Sequence, residues 1–239
     1  MKRRFDPALP EMMDRPGQDP ELLRADLTVL AWLNRQCGGY RIPLRYLPAF
    51  QPRTILDLAT GGGDVPRAIA LRWDVKITAV DVNQDILRIA RERSAGFPQI
   101  TFEQHDLRAL PYAPASFDVV LCSLALHHFS EPDAVAILRR IHEIARIGYI
   151  VNDLRRNRVA VGLTHFMARH IITNPLAKFD APASCERAFT VDELRAMAQR
   201  AGLEQFRIHR HLLFRMALVG RKPSLPAVGK RDAEGSGRQ

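Results

Sequence analysis

The 239-residue chain predicts an α/β fold around a parallel sheet, and three observations carry that expectation. Short apolar runs of strand type alternate with helical runs from residue 54 onward, the order that arises when each helix returns the chain for another parallel strand. A glycine-dense turn follows the first of these runs. No uninterrupted apolar span reaches the roughly 18 residues that a bilayer crossing needs, so no integral membrane segment is expected.

Ahead of the alternation, a Pro-rich lead-in gives way to a helical pattern over residues 20–36, with Leu22, Leu23, Leu27, Leu30 and Leu33 on one face. Gly38 and Gly39 stop it. A short apolar segment over residues 44–50 precedes Pro52. The alternating part then reads as strand at 54–58, helix at 65–73, strand at 76–80, helix at 84–94, strand at 100–104, strand at 118–122, helix at 132–146 and strand at 149–152. Residues 153–189 interrupt the pattern. There His165, Phe166, Met167, Ile171 and Ile172 form an apolar helical stretch that Pro175 and Pro182 are expected to break. Thr190 and Glu193 have capping-box spacing, and the runs 203–209 and 212–219 lie close enough for an antiparallel hairpin. The expected organisation is a helical cap over 1–50, one alternating domain over 51–221 with the insert at 153–189, and a tail at 222–239 whose composition predicts disorder.

At 46% hydrophobic and 26% charged residues the chain has the composition of a globular protein. The basic start (Lys2, Arg3, Arg4) leads into Asp6, Pro7, Glu11 and Asp14 rather than an apolar stretch, which predicts no secretory signal. Cys37, Cys122 and Cys185 form neither a disulfide framework nor a metal spacing, which fits a reducing cytoplasm. The net charge of +9 admits nucleic acid or an acidic membrane surface as partner. Much of it, however, sits on helix-like surfaces (Arg88, Arg91, Arg93, Arg139, Arg140) and in the tail, with no aromatic-interleaved basic run, so solvated surface charge is the favoured reading.

The segment 54–64, TILDLATGGGD, joins a buried strand to glycines that let the backbone turn sharply and approach a ligand. A dinucleotide fingerprint would want a third glycine where Pro66 stands, and no lysine follows the glycines as a phosphate-binding loop requires. Asp64 is expected at the helix N-cap, where its carboxylate would repel a phosphate by about 4 kcal/mol at ~4 Å and an effective dielectric near 20. A cofactor with positive charge suits such a loop.

The segment from Asp57 through Leu58, Ala59, Thr60, Gly61, Gly62 and Gly63 to Asp64 resembles motif I of class I S-adenosylmethionine-dependent methyltransferases, in the ubiquinone and menaquinone branch, with Ala59 in place of the commoner glycine. The resemblance continues through Asp81 and Val82, through Asp106 and Leu107 after the third strand, and through residues 116–129, and it covers 54–153. It implies a Rossmann-like seven-stranded sheet with helices on both faces and one antiparallel strand, and S-adenosylmethionine as cofactor. It assigns cofactor contacts to Asp57, Ala59, Gly61, Gly63, Asp64, Asp81, Val82, Asp106, Leu107 and Ser123. Asp81 would hold the ribose hydroxyls and Asp106 the adenine amino group. As alternatives, Asp81 could cap the helix that begins after Asn83, and Asp106 could be a plain turn residue.

His127 and His128 follow a strand carboxyl end, where open α/β sheets bind ligands, and are the candidate general bases. The alternative is that one of them orders the loop through the backbone. Adjacent positions point differently, so no shared metal site is expected. Asn152, Asp153 and Arg155 leave the next strand at the same edge and are nominated, with Arg187, for substrate positioning; the alternative is surface arginines balancing Asp153, Asp180 and Glu186. The insert is expected to cap the pocket, its Leu163, Phe166, Met167 and Ile171 facing an aromatic, polyketide or quinone-like acceptor or else simply forming core. Residues 152–156 and 184–190 resemble an insert of bacterial methyltransferases from polyketide and pigment pathways. The implied function is O- or C-methylation of a small apolar molecule, with a homodimer left open. An RNA methyltransferase and a non-catalytic S-adenosylmethionine-binding protein are the competing readings, and a dehydrogenase ranks below both.

Overall fold

In the computed structural model, which describes residues 1–9, 11–15 and 17–222, Asp19 starts the first helix, α1 (Pro20–Gln36), by accepting the Glu21 and Leu22 N–H groups at 2.8 and 3.1 Å. Pro20 at the first turn suits a position whose N–H needs no helical partner. The helix buries Leu23 and Leu27 against Ile86 and Ile89, and the segment of residues 44–50 folds as the end of α2 (Arg41–Tyr46) and a 3-10 turn.

The alternation then unfolds as β1 (Thr54–Leu58), α3 (Asp64–Ala70), β2 (Lys76–Asp81), α4 (Gln84–Arg93), β3 (Ile100–Gln104), β4 (Phe117–Ser123), α5 (Glu131–Ile144) and β5 (Ala145–Leu154). Ile55, Leu56, Asp57 and Leu58 are all buried, as a strand covered on both faces requires. Asp118 closes the sheet's other end, accepting the Arg53 and Thr54 N–H groups at 2.8 and 3.1 Å and pairing with Arg146. That ion pair explains one difference from expectation. Arg146 belongs to β5, which begins directly after α5, rather than to the helix.

The insert forms α6 (Arg158–His170) and α7 (Pro175–Arg187), followed by α8 (Val191–Arg200) and the hairpin of β6 (Phe206–His211) and β7 (Arg215–Arg221). Pro175 opens α7, but Pro182 lies inside it instead of breaking it. Burial of Leu176, Ala177, Asp180, Cys185 and Arg187 on the same helix outweighs the roughly 3 kcal/mol that an interior proline costs. The capping box forms in both directions between Thr190 and Glu193.

All seven strands share one sheet in the order β3-β2-β1-β4-β5-β7-β6, with β7 antiparallel to both neighbours and the other pairings parallel. Gly220 admits Tyr149 across the β5/β7 pair: a Cβ at that glycine would lie 2.1 Å from the Tyr149 ring. The sequence order turns from β1 to β4 in the sheet, and ligands of open α/β sheets bind in the crevice at such a switch. The tail expected to be disordered lies outside the described residues beyond Lys222, whose N–H still bonds the Ile147 carbonyl at 2.8 Å. Among the described residues no helix is long and apolar enough to cross a membrane, and the three cysteines are free thiols.

Candidate active site

The glycine turn and the histidine turn lie side by side at the carboxyl ends of β1 and β4. In the first, Ala59, Gly61 and Gly63 all adopt positive φ (53°, 55° and 73°). Glycine does this freely, whereas Ala59 carries a side chain into a conformation that disfavours one by about 1 kcal/mol or more. The departure from glycine at Ala59 therefore costs more than a single added methyl suggests. Open space lies beside Gly61, where a Cβ would meet no atom within 4 Å.

Asp57 is buried in β1, and its Oδ1 has no hydrogen-bond partner. Burial pushes its carboxyl up to about 7, an effect that the nearby Thr60 hydroxyl opposes and the charge of Asp81 reinforces. Asp81 spans the turn, accepting the Gly61 N–H at 2.9 Å on one oxygen and the Asn83 N–H at 3.1 Å on the other. The capping duty falls to Asn83, whose side chain accepts the Asp85 and Ile86 N–H groups. Val82 is exposed beside it.

Two expectations need correction here, both at Asp64. Asp64 is the first residue of α3 and not its cap, which is Gly63. Its carboxylate pairs with Arg67 and feels Arg93 as well, so the charge held to repel phosphate is locally neutralised and that argument loses its force. Asp106 caps the following 3-10 turn through the Arg108 N–H at 2.9 Å and pairs with the Arg108 guanidinium at 2.6 Å, which holds its carboxyl below the ordinary value. An adenine contact would have to share this carboxylate with Arg108. Leu107 is core, leaving only its backbone to a ligand.

In the second turn, His127 and His128 end a 3-10 helix over Leu126–His128, entered through Leu124 at a positive φ of 57°. Strain of this kind in a non-glycine residue marks functional turns. His127 is 3% exposed and its Nδ1 lies 2.7 Å from Asp153 Oδ1, while Asp153 Oδ2 accepts the His127 N–H at 3.1 Å. Burial works to raise the Asp153 carboxyl, but His127, the Leu154 N–H and His128 together bring it below the ordinary carboxylate value. An ionised Asp153 fixes the tautomer with Nδ1–H donating and Nε2 presenting a lone pair. Both oxygens of Asp153 are thus engaged by His127.

The two imidazoles do not diverge. Their centroids are 4.3 Å apart at 38°, and Nε2 of His127 and of His128 each lie 3.8 Å from a different oxygen of Glu11. The expected divergence belongs to extended backbone; a tight helical turn lets two adjacent long side chains converge on a group between them. Glu11, 3% exposed, also accepts the Ser184 hydroxyl at 2.7 Å and lies 3.7 Å from Arg187 Nη1.

Arg187 is no surface counter-charge: it is buried, and its guanidinium donates to the Leu9 carbonyl. Arg3 fastens the same amino-terminal segment from the other side, donating to the His127 and Phe129 carbonyls at 3.1 and 2.8 Å. Asp180 completes the clamp by accepting the Met12 and Met13 N–H groups at 2.7 and 3.1 Å. Arg155 bonds the hairpin through its backbone and sits 6.0 Å from the Phe214 ring. Asn152 is buried beside Ser123, its Nδ2 donating to the Gly39 carbonyl at 3.3 Å and its Oδ1 unpartnered. Arg215, unforeseen from sequence, is buried next to Gly39 with Nη2 on Asn34 at 2.7 Å and with Nε and Nη1 lacking partners.

Of the insert, α7 packs on the histidine turn and on α1. The apolar side chains at and just beyond the outer face of α6 are exposed: Leu163, Phe166 and Ile171 are 45%, 56% and 59% exposed, so those residues are not core.

Residues 55–148 match the family model of a methyltransferase domain. A demethylmenaquinone methyltransferase of Deinococcus radiodurans is 38% identical over 86 residues, 35% of this chain and 35% of that protein. A ubiquinone biosynthesis O-methyltransferase of Pseudomonas paraeruginosa is 29% identical over 166 residues, 64% of this chain and 65% of that one. The chain therefore matches less than two thirds of the length of either relative. The solved structure of a SAM dependent methyltransferase from Aquifex aeolicus superposes with a TM-score of 0.62 at 16% identity, covering 85% of this chain and 98% of that one, which shows a common fold.

Proposed function

We propose, from the premise that this chain belongs to the class I S-adenosylmethionine-dependent methyltransferases through its domain at residues 55–148, that it methylates a small apolar acceptor of aromatic, polyketide or quinone-like type at oxygen or carbon. The observation that carries the reading is the buried His127–Asp153 pair beside the glycine turn, at the switch between β1 and β4.

The residues of the glycine turn fit the cofactor. Asp57 offers a buried acceptor that lacks a donor, which an ammonium group would satisfy, and the space beside Gly61 admits close backbone approach. Asp81, at the end of β2, would hold the ribose, and Val82, Leu107 and Ser123, at or just beyond the carboxyl ends of β2, β3 and β4, would border the nucleoside. S-adenosylmethionine, when bound, supplies a methyl group already activated by the sulfonium charge.

What remains for the chain is alignment and proton removal. Holding acceptor and donor in line can contribute roughly 7 to 11 kcal/mol. His127 Nε2, with Nδ1–H held by Asp153, takes a proton from the acceptor hydroxyl or acidic carbon, and the carboxylate stabilises the imidazolium that results. His128, the more exposed of the two rings, stands at the mouth. Asn152 Oδ1 and the open nitrogens of Arg215 are the polar anchors for an oxygen-bearing ring. Residues 1–50 and the insert, as cap, exclude water through the Glu11, Arg3 and Arg187 contacts.

Incubating the full chain with isotopically labelled S-adenosylmethionine and a panel of phenols, quinones and polyketides, then identifying labelled products by mass, tests the reading. Cofactor binding by calorimetry without any labelled product from the panel or from cell extract would favour a non-catalytic binding protein instead.

A further inference from the structure

Glu11, His127 and His128 are drawn together from opposite ends of the fold, and their candidate donor atoms all lie within 4.8 Å of one another. Two imidazole nitrogens and a carboxylate so placed hold either protons or a metal cation between them. His127 turns its Nδ1 to Asp153 at 2.7 Å, so Nε2 is the nitrogen that faces Glu11. Arg187 balances the Glu11 charge from outside, 3.7 Å from Oε1, and Ser184 occupies the same oxygen, so Oε2 is the oxygen left facing the His128 ring at 3.8 Å.

We propose that these three residues form a site for a divalent first-row transition ion, zinc foremost. Two imidazole nitrogens and one carboxylate with a remaining open position are the donor set of three-ligand zinc centres. Tetrahedral bonds of about 2.0–2.2 Å separate donors by roughly 3.4 Å, and the three donor atoms, now within 4.8 Å of one another, reach that spacing by side-chain rotation. Asp153 is already in place as the outer carboxylate that orients a ligating histidine and raises its basicity. His128 is 24% exposed at its side chain while Glu11 and His127 are 3%, so the open coordination position faces the mouth, where a water or an acceptor oxygen binds. That last use rests on the methyl-transfer reading; uptake of the ion does not, and a bound ion takes the His127 Nε2 lone pair, so the base role of His127 belongs to the metal-free protein.

The test therefore omits acceptor and methyl donor. Metal-free full-length protein is titrated with Zn2+ by calorimetry and with Co2+ by visible spectroscopy. One equivalent of Zn2+ with a Kd of micromolar or below, and Co2+ ligand-field bands of nitrogen and oxygen coordination, are expected. His128→Ala, at the most exposed ligand and so the least disruptive to folding, weakens Zn2+ binding at least 100-fold, as does Glu11→Gln, and Asp153→Asn weakens it 10- to 100-fold. His209→Ala/His211→Ala, which alters the imidazoles beside Tyr46, leaves binding unchanged. No stoichiometric uptake by the wild type, wild-type affinity in both His128→Ala and Glu11→Gln, or loss of binding in the His209/His211 double variant would each overturn the site.

Discussion

The glycine turn and the histidine turn follow adjacent strands of one sheet, yet they are built in opposite ways. The glycine turn is local: Asp57, Ala59, Gly61, Gly63 and Asp81 lie within one strand–turn–helix–strand unit, and its key bond, Asp81 to the Gly61 N–H, spans 20 positions. The histidine turn is assembled from afar: Arg3 reaches His127 over 124 positions, and Ser184 reaches Glu11 over 173. The lesson is that a candidate cofactor turn can reside in a contiguous motif, because backbone N–H groups and two nearby acids are all that it needs to bring together. Proton removal needs a dry, oriented imidazole, and only remote segments can bury it.

Substitutions in each region sharpen this contrast. His127→Ala is expected to lower turnover by about 10² to 10⁴-fold while cofactor affinity stays within about twofold; equal turnover in His127→Ala, His128→Ala and wild type would end the base assignment. Asp153→Asn should follow His127→Ala in direction, because it loosens the tautomer rather than removing the ring.

The next effect concerns stability. Asp26 of α1 is fully buried beneath the amino-terminal segment with neither oxygen in a well-formed hydrogen bond. Burial first, and then the charge of Asp180, push its carboxyl up to about 7 from 3.8. The unfolded chain releases this proton near its ordinary value while the folded chain retains it, so folding stability falls as pH rises from about 4 through 7, by up to about 4 kcal/mol. Asp26→Asn should flatten that slope and gain stability at pH 8 in urea unfolding; an unaltered pH profile would place the charge elsewhere.

In the glycine turn, Asp81→Asn removes the charge from two backbone hydrogen bonds and from the ribose side. Cofactor affinity should fall about 10- to 100-fold by calorimetry, in line with 1.5–3 kcal/mol for charged hydrogen bonds, with the pH dependence of stability due to Asp26 intact. The smallest change is Ala59→Gly, which relieves the left-handed strain at that position for about 0.5–1 kcal/mol. A Tm higher by about 1–4 °C is expected, and a lower one would mean that the alanine methyl earns its place by packing.

Much was legible without coordinates. The α1 boundaries, β1 and β3, the capping box at Thr190 and the closing hairpin followed from apolar periodicity, caps and turn residues, all of which act within a few positions of the chain. Other outcomes depended on which side chains meet once the chain folds. Pro182 continues α7 because buried neighbours hold the helix; Asp64 is neutralised by Arg67 and Arg93; Arg187 turns inward to the lead-in. Glu11 gave no signal at all, since a carboxylate in a Pro-rich lead-in looks solvated until the chain folds over it.

By itself, then, the sequence determined the sheet, the glycine turn and the match of residues 55–148 to a methyltransferase-domain family model, because strands, turns and their spacing are local and the motif is contiguous. Tertiary structure alone decided which acid orients His127, that both imidazoles face Glu11, and that Leu163 and Phe166 of α6 are exposed. Those outcomes depend on burial and on charges brought together across the whole chain, where desolvation turns an ordinary carboxylate into either a costly guest or a tightly held partner.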